Sequence, residues 1–274
     1  MNFLLEALKE YNNQHTGDEY YTNYKSVEKE LQHYDFSGMI VYCNCDDPDK
    51  SAFVKYFRDN FHRLGIKCLY ATFLETEDNP PFLYRYDGVE ESRSRIESGR
   101  FQDNMKIIKM SDIIVTNPPF SNSMPRELIK MVIEAGKKFL IIGNYKLGGK
   151  SEIFPKIQSG EFNCGYSAPS GYAVPNGKDK KRMNNTLWWT NVGIDKEPVK
   201  LVRFDPTIHL KYDNYDAINC PDVNHIPDYD GPMGIPFTSI KKISPKQFDF
   251  LGAKDNLRLN GRKTDSRYIV RLKK

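Results

Sequence analysis

Asn117, Pro118, Pro119 and Phe120 form the tetrapeptide with the most chemical content in the chain. The Asn117 amide oxygen and the Pro118 carbonyl can each accept a hydrogen from one amino group. Held that way, the nitrogen is drawn from planar, conjugated geometry toward a nucleophile with a usable lone pair. Phe120 offers a flat face for the ring that bears the amine. No general base is required at attack, because the proton can leave after the new bond forms. This is the chemistry of methylating an exocyclic or amide nitrogen with a sulfonium as donor. The same four residues also read as a plain loop opener, so the elements around them must decide.

Those elements alternate. Ile113–Thr116 is a short apolar, β-branched run that reads as a buried strand. The prolines stop it, since each lacks a donor and fixes φ. A residue before proline is pushed out of the α region, which puts Asn117 on a stiff, extended corner. Upstream, Gly38–Cys43 predicts a strand ending in Asn44-Cys45-Asp46-Asp47-Pro48, with Cys43 and Cys45 pointing the same way. A helix over Ser51–Leu64, closed by Gly65, and a strand over Ile66–Phe73 follow. This βαβ start lacks the Gly-x-Gly-x-x-Gly pattern. It offers two adjacent carboxylates, which would repel a pyrophosphate and admit a cationic or hydroxyl-rich ligand. Phe101–Met110 predicts a short helix. Ser123 and Pro125 open another carrying Leu128, Ile129, Met131 and Val132, and Gly136 ends it. Lys138–Gly143 is a further buried strand. Three such alternations favour an α/β fold with a parallel sheet, and open sheets of that kind bind ligands at the carboxyl ends of their strands.

The rest is less periodic. Residues 1–17 predict a short amphipathic helix, and Asp18-Glu19-Tyr20-Tyr21-Thr22 precedes a second one through Val27, Leu31 and Tyr34. The aromatic pair with its hydroxyl suits a cofactor pocket or surface packing. Residues 74–100, acidic and then arginine-rich, read as a long loop or insertion. Residues 145–185 show no long periodic run. Thr186–Thr190 and Val199–Phe204 predict an antiparallel pair, 207–250 ordered loops over the sheet, and Arg267–Leu272 a basic edge strand.

The 274 residues, 39% hydrophobic and 28% charged, suit a soluble protein with a sizeable core. No apolar run approaches the roughly 20 residues needed to span a bilayer. The N-terminus lacks a basic segment followed by a long apolar one, so a cytoplasmic location is expected. The five cysteines form no Cys-x-x-Cys pair and have no histidine at metal-ligand spacing, which predicts free thiols and no metal. The net charge is +4, unevenly spread. Lys254–Lys274 holds eight basic residues against Asp255 and Asp265, and Lys146–Arg182 seven against Glu152, Glu161 and Asp179. Each segment suits phosphate contact, or a solvated polar face.

Six segments together, Asp18–Thr22, Val41–Pro48, Asp112–Phe120, Leu187–Asn191, Lys211–Asn219 and Tyr229–Pro236, resemble the EcoRI-type adenine-specific (N6) DNA methyltransferases. They spread over most of the chain. The resemblance implies a Rossmann-like class I methyltransferase fold, mostly parallel with an antiparallel closing hairpin, plus loop-rich DNA-recognition elements. It implies S-adenosyl-L-methionine as methyl donor, S-adenosyl-L-homocysteine as product, and double-stranded DNA as partner. Residues 1–145 would form the cofactor-binding and catalytic core, with an insertion at about 74–100. Residues 146–185 would recognise the target, and 186–274 would close the core and supply a basic DNA-contacting segment.

Residue by residue, Asn117, Pro118, Pro119 and Phe120 match the motif that holds an extruded adenine, and Asn117 is expected to touch the cofactor as well. Asp18, Tyr20, Tyr21 and Thr22 match the N-terminal cofactor motif, and Asn44, Cys45, Asp46 and Asp47 occupy the first-strand cofactor turn. That turn is glycine-rich in most methyltransferases and is not so here. Thr72 and Phe73 stand where an acid usually grips the ribose, with Glu75 just beyond. Phe101 aligns with a cofactor-adenine segment, but Arg100 replaces the acid of that segment, leaving Asp103 as a substitute. Lys178, Lys180, Lys181, Arg182, Arg262, Lys263 and Arg267 are the expected nucleic-acid contacts, and Arg85, Arg93 and Arg95 of the insertion are further candidates. A monomer is expected, with a restriction endonuclease of the same site as a companion. Two other readings stay open: methylation of RNA or of protein glutamine, and a non-catalytic nucleic-acid-binding module on the same scaffold.

Overall fold

Four apolar runs become the parallel strands that the spacing calls for. The computed structural model describes residues 21–73, 80–118, 124–170, 172–173, 180–181 and 185–274. The expected helix over 1–17 lies outside the described residues. The chain divides into two compact units, Met1–Gly143 with Pro169–Thr186, and Asn144–Ala168 with Leu187–Lys274.

In the first unit, β1 is Tyr21–Thr22 and α1 is Tyr24–Leu31. Asn23 caps α1, its side chain accepting from the Ser26 N–H at 2.8 Å. Next come β2 (Ile40–Cys43), α2 (Ala52–Asp59), α3 (Phe61–Leu64) and β3 (Cys68–Phe73). The single helix expected over Ser51–Leu64 is thus two. The break falls at Asn60, whose backbone leaves helical geometry at φ −111° and ψ 14° and whose side chain also donates to the Tyr56 carbonyl at 2.9 Å. Gly65, at φ 62°, ends α3 in the left-handed conformation that glycine adopts without strain. After β4 (Phe82–Tyr86) and β5 (Glu91–Arg95) come α4 (Met105–Met110), β6 (Ile113–Thr116), α5 (Met124–Glu134) and β7 (Lys138–Asn144).

These six strands lie in the order β5-β4-β3-β2-β6-β7. The stretch β3-β2-β6-β7 is parallel, as the alternation of strands and helices required. Val41, Ile113, Ile114, Val115, Phe139, Leu140 and Ile141 are buried along it, the pattern of a parallel sheet covered on both faces.

Residues 80–95 correct the expectation of a loop. They form the antiparallel hairpin β4–β5, which continues the sheet beyond β3. Its turn is Asp87-Gly88, a dipeptide with a strong hairpin preference. Asp87 accepts the Val89 and Glu90 N–H groups, and Gly88 takes φ 94° with no room for a side chain beside Phe61. A three-stranded sheet joins β1 to β9 (Tyr172–Ala173) and β10 (Lys180–Lys181). Thr22 faces Tyr172 in register, and Lys181 faces Tyr172 from the other side.

In the second unit, α6 is Phe154–Gln158, and β8 (Asn163–Cys164) pairs antiparallel with β11 (Thr186–Thr190). The expected partner strand over Val199–Phe204 is not formed. The Gln247 side-chain amide occupies both backbone groups of Val199, at 2.8 and 2.9 Å, and Val202 makes only an isolated bridge to Pro227. The stretch 207–250, expected as loops, supplies β12 (Ile218–Asn219), β13 (Met233–Pro236) and the start of β14 (Phe248–Lys254). Two further strands, β15 (Arg258–Leu259) and β16 (Arg262–Lys263), form a separate hairpin. The last strand, β17 (Arg267–Leu272), lies between β13 and β14 and not at an edge. Its Tyr268, Ile269 and Val270 are fully buried, and Tyr268 stacks on Phe237 with ring centroids 4.1 Å apart. Strand identity was legible from its alternation, but position within a sheet depends on partners distant in sequence. Among the described residues no helix is long and apolar enough to cross a membrane.

Candidate active site

From β2 the chain moves to β3 on one side and later returns to β6 on the other. The carboxyl ends of β2 and β6 therefore flank the point where the strand order reverses, the usual ligand crevice of an open α/β sheet. Asn44 follows β2 and Asn117 follows β6.

Side-chain hydrogen bonds tie these two ends together. Thr116 Oγ1 donates to the Asn44 carbonyl and lies 2.9 Å from Asp46 Oδ2. Ser51, which caps α2, donates from Oγ to Asp46 Oδ1 at 2.6 Å. The Asp46 N–H donates to the Thr72 carbonyl at 3.1 Å, and Thr72 Oγ1 shares a 2.7 Å hydrogen bond with the Tyr42 hydroxyl. Thr116, Asn44 and Thr72 are all fully buried. Pro118 is buried and Asn117 half-buried.

Three features stand out for ligand binding. Asn44 Oδ1 accepts from Cys45 Sγ at 3.0 Å, while Asn44 Nδ2 is buried with no hydrogen-bond partner among the described residues. A buried donor without a partner is uncommon in a native fold and marks a place where an acceptor can sit. Thr22 Oγ1, in the N-terminal motif, is also buried without a partner among the described residues. Cys45 adopts φ 60°, the left-handed region that favours glycine, so it has left the strand and does not point with Cys43.

The pair of carboxylates expected to face a ligand is turned inward. Asp46 is bound by hydroxyls of its own chain. Asp47 accepts the Asp49 N–H at 3.0 Å and pairs with Lys50 at 3.2 Å. Burial pushes the Asp46 carboxyl up to about 7, opposed by the Ser51 and Thr116 hydroxyls and assisted by Asp47. Burial also raises the Cys43 thiol well above its ordinary range. None of the five cysteines is in a disulfide. Among the described residues, no group of three or more His, Cys, Asp or Glu side chains is placed to hold a metal ion.

Of the other expected site residues, Phe73 packs on Phe82 with centroids 5.7 Å apart, and Phe101 is fully buried. Asp18, Tyr20, Pro119, Phe120, Lys178 and Arg182 lie outside the described residues; for Tyr21, Lys180 and Lys181 the strand placement is what is described. Arg262 and Lys263 are exposed on β16, in the second unit. Arg267 is 8% exposed, its guanidinium directed at the Asp265 and Ser266 carbonyls. Arg93 reaches the loop between β2 and α2, pairing with Asp49 at 2.6 Å and lying over the Phe82 ring.

Ser51, Thr116 and Tyr42 are neighbours of the candidate site that sequence reasoning missed. Thr116 reads only as a strand former, and Ser51 only as a cap. The available signal was a hydroxyl next to Asn117 and another five residues after Asp46, which periodicity does not register.

The family model for adenine-specific methyltransferase EcoRI matches residues 8–101 and 86–273. The Type II methyltransferase M.EcoRI of Escherichia coli is 35% identical, with 94% of each chain covered. M.MpnI of Mycoplasma pneumoniae is 29% identical over 92% of this chain and 85% of its own. M.MgeORF184P of Mycoplasma genitalium is 27% identical over 85% and 82%. No solved structure matches the chain significantly. A parallel sheet with asparagines at its switch point, and full-length similarity to these enzymes, lead to one statement: the chain belongs to the EcoRI family of adenine-specific methyltransferases.

Proposed function

We propose that the chain transfers a methyl group from S-adenosylmethionine to the N6 amine of an adenine extruded from duplex DNA, at a specific site. The observation that carries this reading is the meeting of Asn44 and the Asn117 corner at the strand-order reversal. The parallel order β3-β2-β6-β7 supports a Rossmann-like class I fold.

S-adenosylmethionine suits the first turn on a structural ground. The buried Asn44 Nδ2 has hydrogens to give and no partner among the described residues, and Thr22 Oγ1 is in the same position. Asp18, Tyr20, Tyr21, Thr22, Asn44, Cys45, Asp47, Thr72, Phe73 and Phe101 would hold the cofactor, with Asp46 bracing the turn. When bound, it supplies an electrophilic methyl carbon. Asn117 and the Pro118 carbonyl accept the two amino hydrogens and orient the nitrogen lone pair. Pro119 stiffens the corner and Phe120 stacks on the purine. The N6 proton leaves after the bond forms, so no step calls for a metal or a strong base. An adenine inside a helix cannot reach this corner; extruding it costs a few kcal/mol, offset in part by stacking on Phe120.

DNA contacts are assigned to Lys178, Lys180, Lys181, Arg182, Arg262 and Lys263, with Arg267 acting inside the second unit. A cleft of about 470 Å³ there is lined by Lys146, Lys150 and Lys263 together with Asp255 and Asp265. In this reading the enzyme acts as a monomer in the cytoplasm, with a restriction endonuclease of the same specificity as companion. The test is incubation of the protein with labelled S-adenosylmethionine and duplex DNA. N6-methyladenine is the expected product. Label in RNA or protein, with none in DNA, would overturn the reading.

A further inference from the structure

The oxygens at the switch point outnumber the protons available to join them. Thr116 Oγ1 contacts two acceptors, the Asn44 carbonyl and Asp46 Oδ2 at 2.9 Å, but a hydroxyl has a single hydrogen to donate. Ser51 already donates to the other carboxyl oxygen, Asp46 Oδ1, at 2.6 Å. With Asp46 ionised, one of the two Thr116 contacts sets oxygen against oxygen with no hydrogen between them. With Asp46 protonated on Oδ2, every contact is satisfied in one direction. Asp46 donates to Thr116, Thr116 donates to the Asn44 carbonyl, and Ser51 donates to Asp46.

We propose that Asp46 works as a neutral carboxylic acid, a positioning residue whose Oδ2 hydrogen frees Thr116 to bind Asn44 and so fixes the Asn117 corner against the cofactor turn. Thr116 is adjacent to Asn117 in the chain, so rotation at Thr116 is transmitted directly to the corner. The inference rests on the methyl-transfer reading for its consequence, but not for its proton placement. Burial of Asp46, which favours the neutral form, agrees with it. The titratable groups facing Asp46 are Asp47 on the same turn, ion-paired with Lys50, and Cys43 and Tyr42 on β2. Burial keeps both the Cys43 thiol and the Tyr42 hydroxyl protonated at neutral pH.

The sign of the pH effect follows. The folded carboxyl titrates at about 7 against an ordinary 3.8, so the folded chain holds the extra proton between those values. Stability from this group is fullest below about pH 4, declines as pH rises toward 7 and is level above it.

Two measurements test the proposal together. Asp46→Asn keeps the shape, donates from Nδ2 to Thr116 and accepts from Ser51. Its melting temperature is expected to lack the decline between about pH 5 and 7 that the unaltered chain shows. Its infrared difference spectrum against the unaltered chain at pH 6 should contain one protonated-carboxyl band. Thr116→Val should lower kcat by about tenfold or more with a smaller change in S-adenosylmethionine affinity, and Thr116→Ser should restore most of it. If Asp46→Asn melts with an unchanged pH profile and lacks the band, the proton placement is wrong. If it folds but loses cofactor binding a hundredfold, Asp46 serves as a charged ligand and the proposal falls. An unaltered chain that leaves DNA unmethylated defeats the functional reading, while the melting and infrared results still decide the proton.

Discussion

Asp46 and Asp213 each brace a turn, with opposite means. Asp46 sits buried after β2 and takes its partners from the side-chain hydroxyls of Ser51 and Thr116. Asp213 is exposed in the second unit and takes backbone N–H groups, from Asn260 at 3.2 Å and Gly261 at 2.7 Å. The turn it braces is the Asn-Gly corner of the β15–β16 hairpin, with φ 50° and 78° at those two residues. Its neighbour Asn214 adds bonds to the Arg258 N–H and the Asn256 carbonyl, both at 2.9 Å. In the proposed function the buried brace would align two strand ends for methyl transfer, and the exposed one would present Arg258, Arg262 and Lys263 to DNA phosphates. Chemistry needs a turn that does not move, and burial supplies that at the cost of sensitivity to one proton. Surface recognition needs charge in the open on a stiff base, which an Asn-Gly hairpin provides.

Variants in each region should separate along this line. Asn117→Ala is expected to lower turnover about 10³-fold while leaving S-adenosylmethionine affinity within a few-fold, measured by single-turnover kinetics and calorimetry. Near-normal turnover would remove the corner from the chemistry. Phe120→Ala should weaken capture of the extruded adenine by about 1–3 kcal/mol, read from 2-aminopurine fluorescence at the target position. Asp213→Ala, by loosening the hairpin, should weaken DNA binding about tenfold and leave kcat at saturating DNA nearly unchanged. A fall in kcat instead would mean that the two regions are not separate in role. Arg262→Ala and Lys263→Ala should each reduce the slope of log affinity against log salt by about 1, with a similar effect on every sequence. Smallest of all, Cys45→Gly should change stability by no more than about 1 kcal/mol, because relief of the left-handed strain offsets the freedom gained by the unfolded chain.

The parallel sheet was legible because Ile40–Cys43, Cys68–Phe73, Ile113–Thr116 and Lys138–Asn144 are apolar runs between helices with apolar faces. Asn117 was legible as a corner because two prolines follow it. The hairpin at 82–95 was missed since charge concealed its alternation, although Asp87-Gly88 was there to be read. Val199–Phe204 has strand composition, but a glutamine side chain distant in sequence occupies its backbone. The inward turn of Asp46 was hidden for a related reason. Its partners, Ser51 and Thr116, come from a helix cap and from a strand more than sixty residues on, and no local pattern announces such a meeting.

The most direct test of the site is a crystal structure of the chain with S-adenosylhomocysteine bound. The ligand is expected at the carboxyl ends of β2 and β6, with one of its acceptor atoms on Asn44 Nδ2 and the Asn117 amide beside its sulfur. A ligand held elsewhere in the chain, or an Asn44 amide still without a partner when the ligand is present, would contradict the assignment.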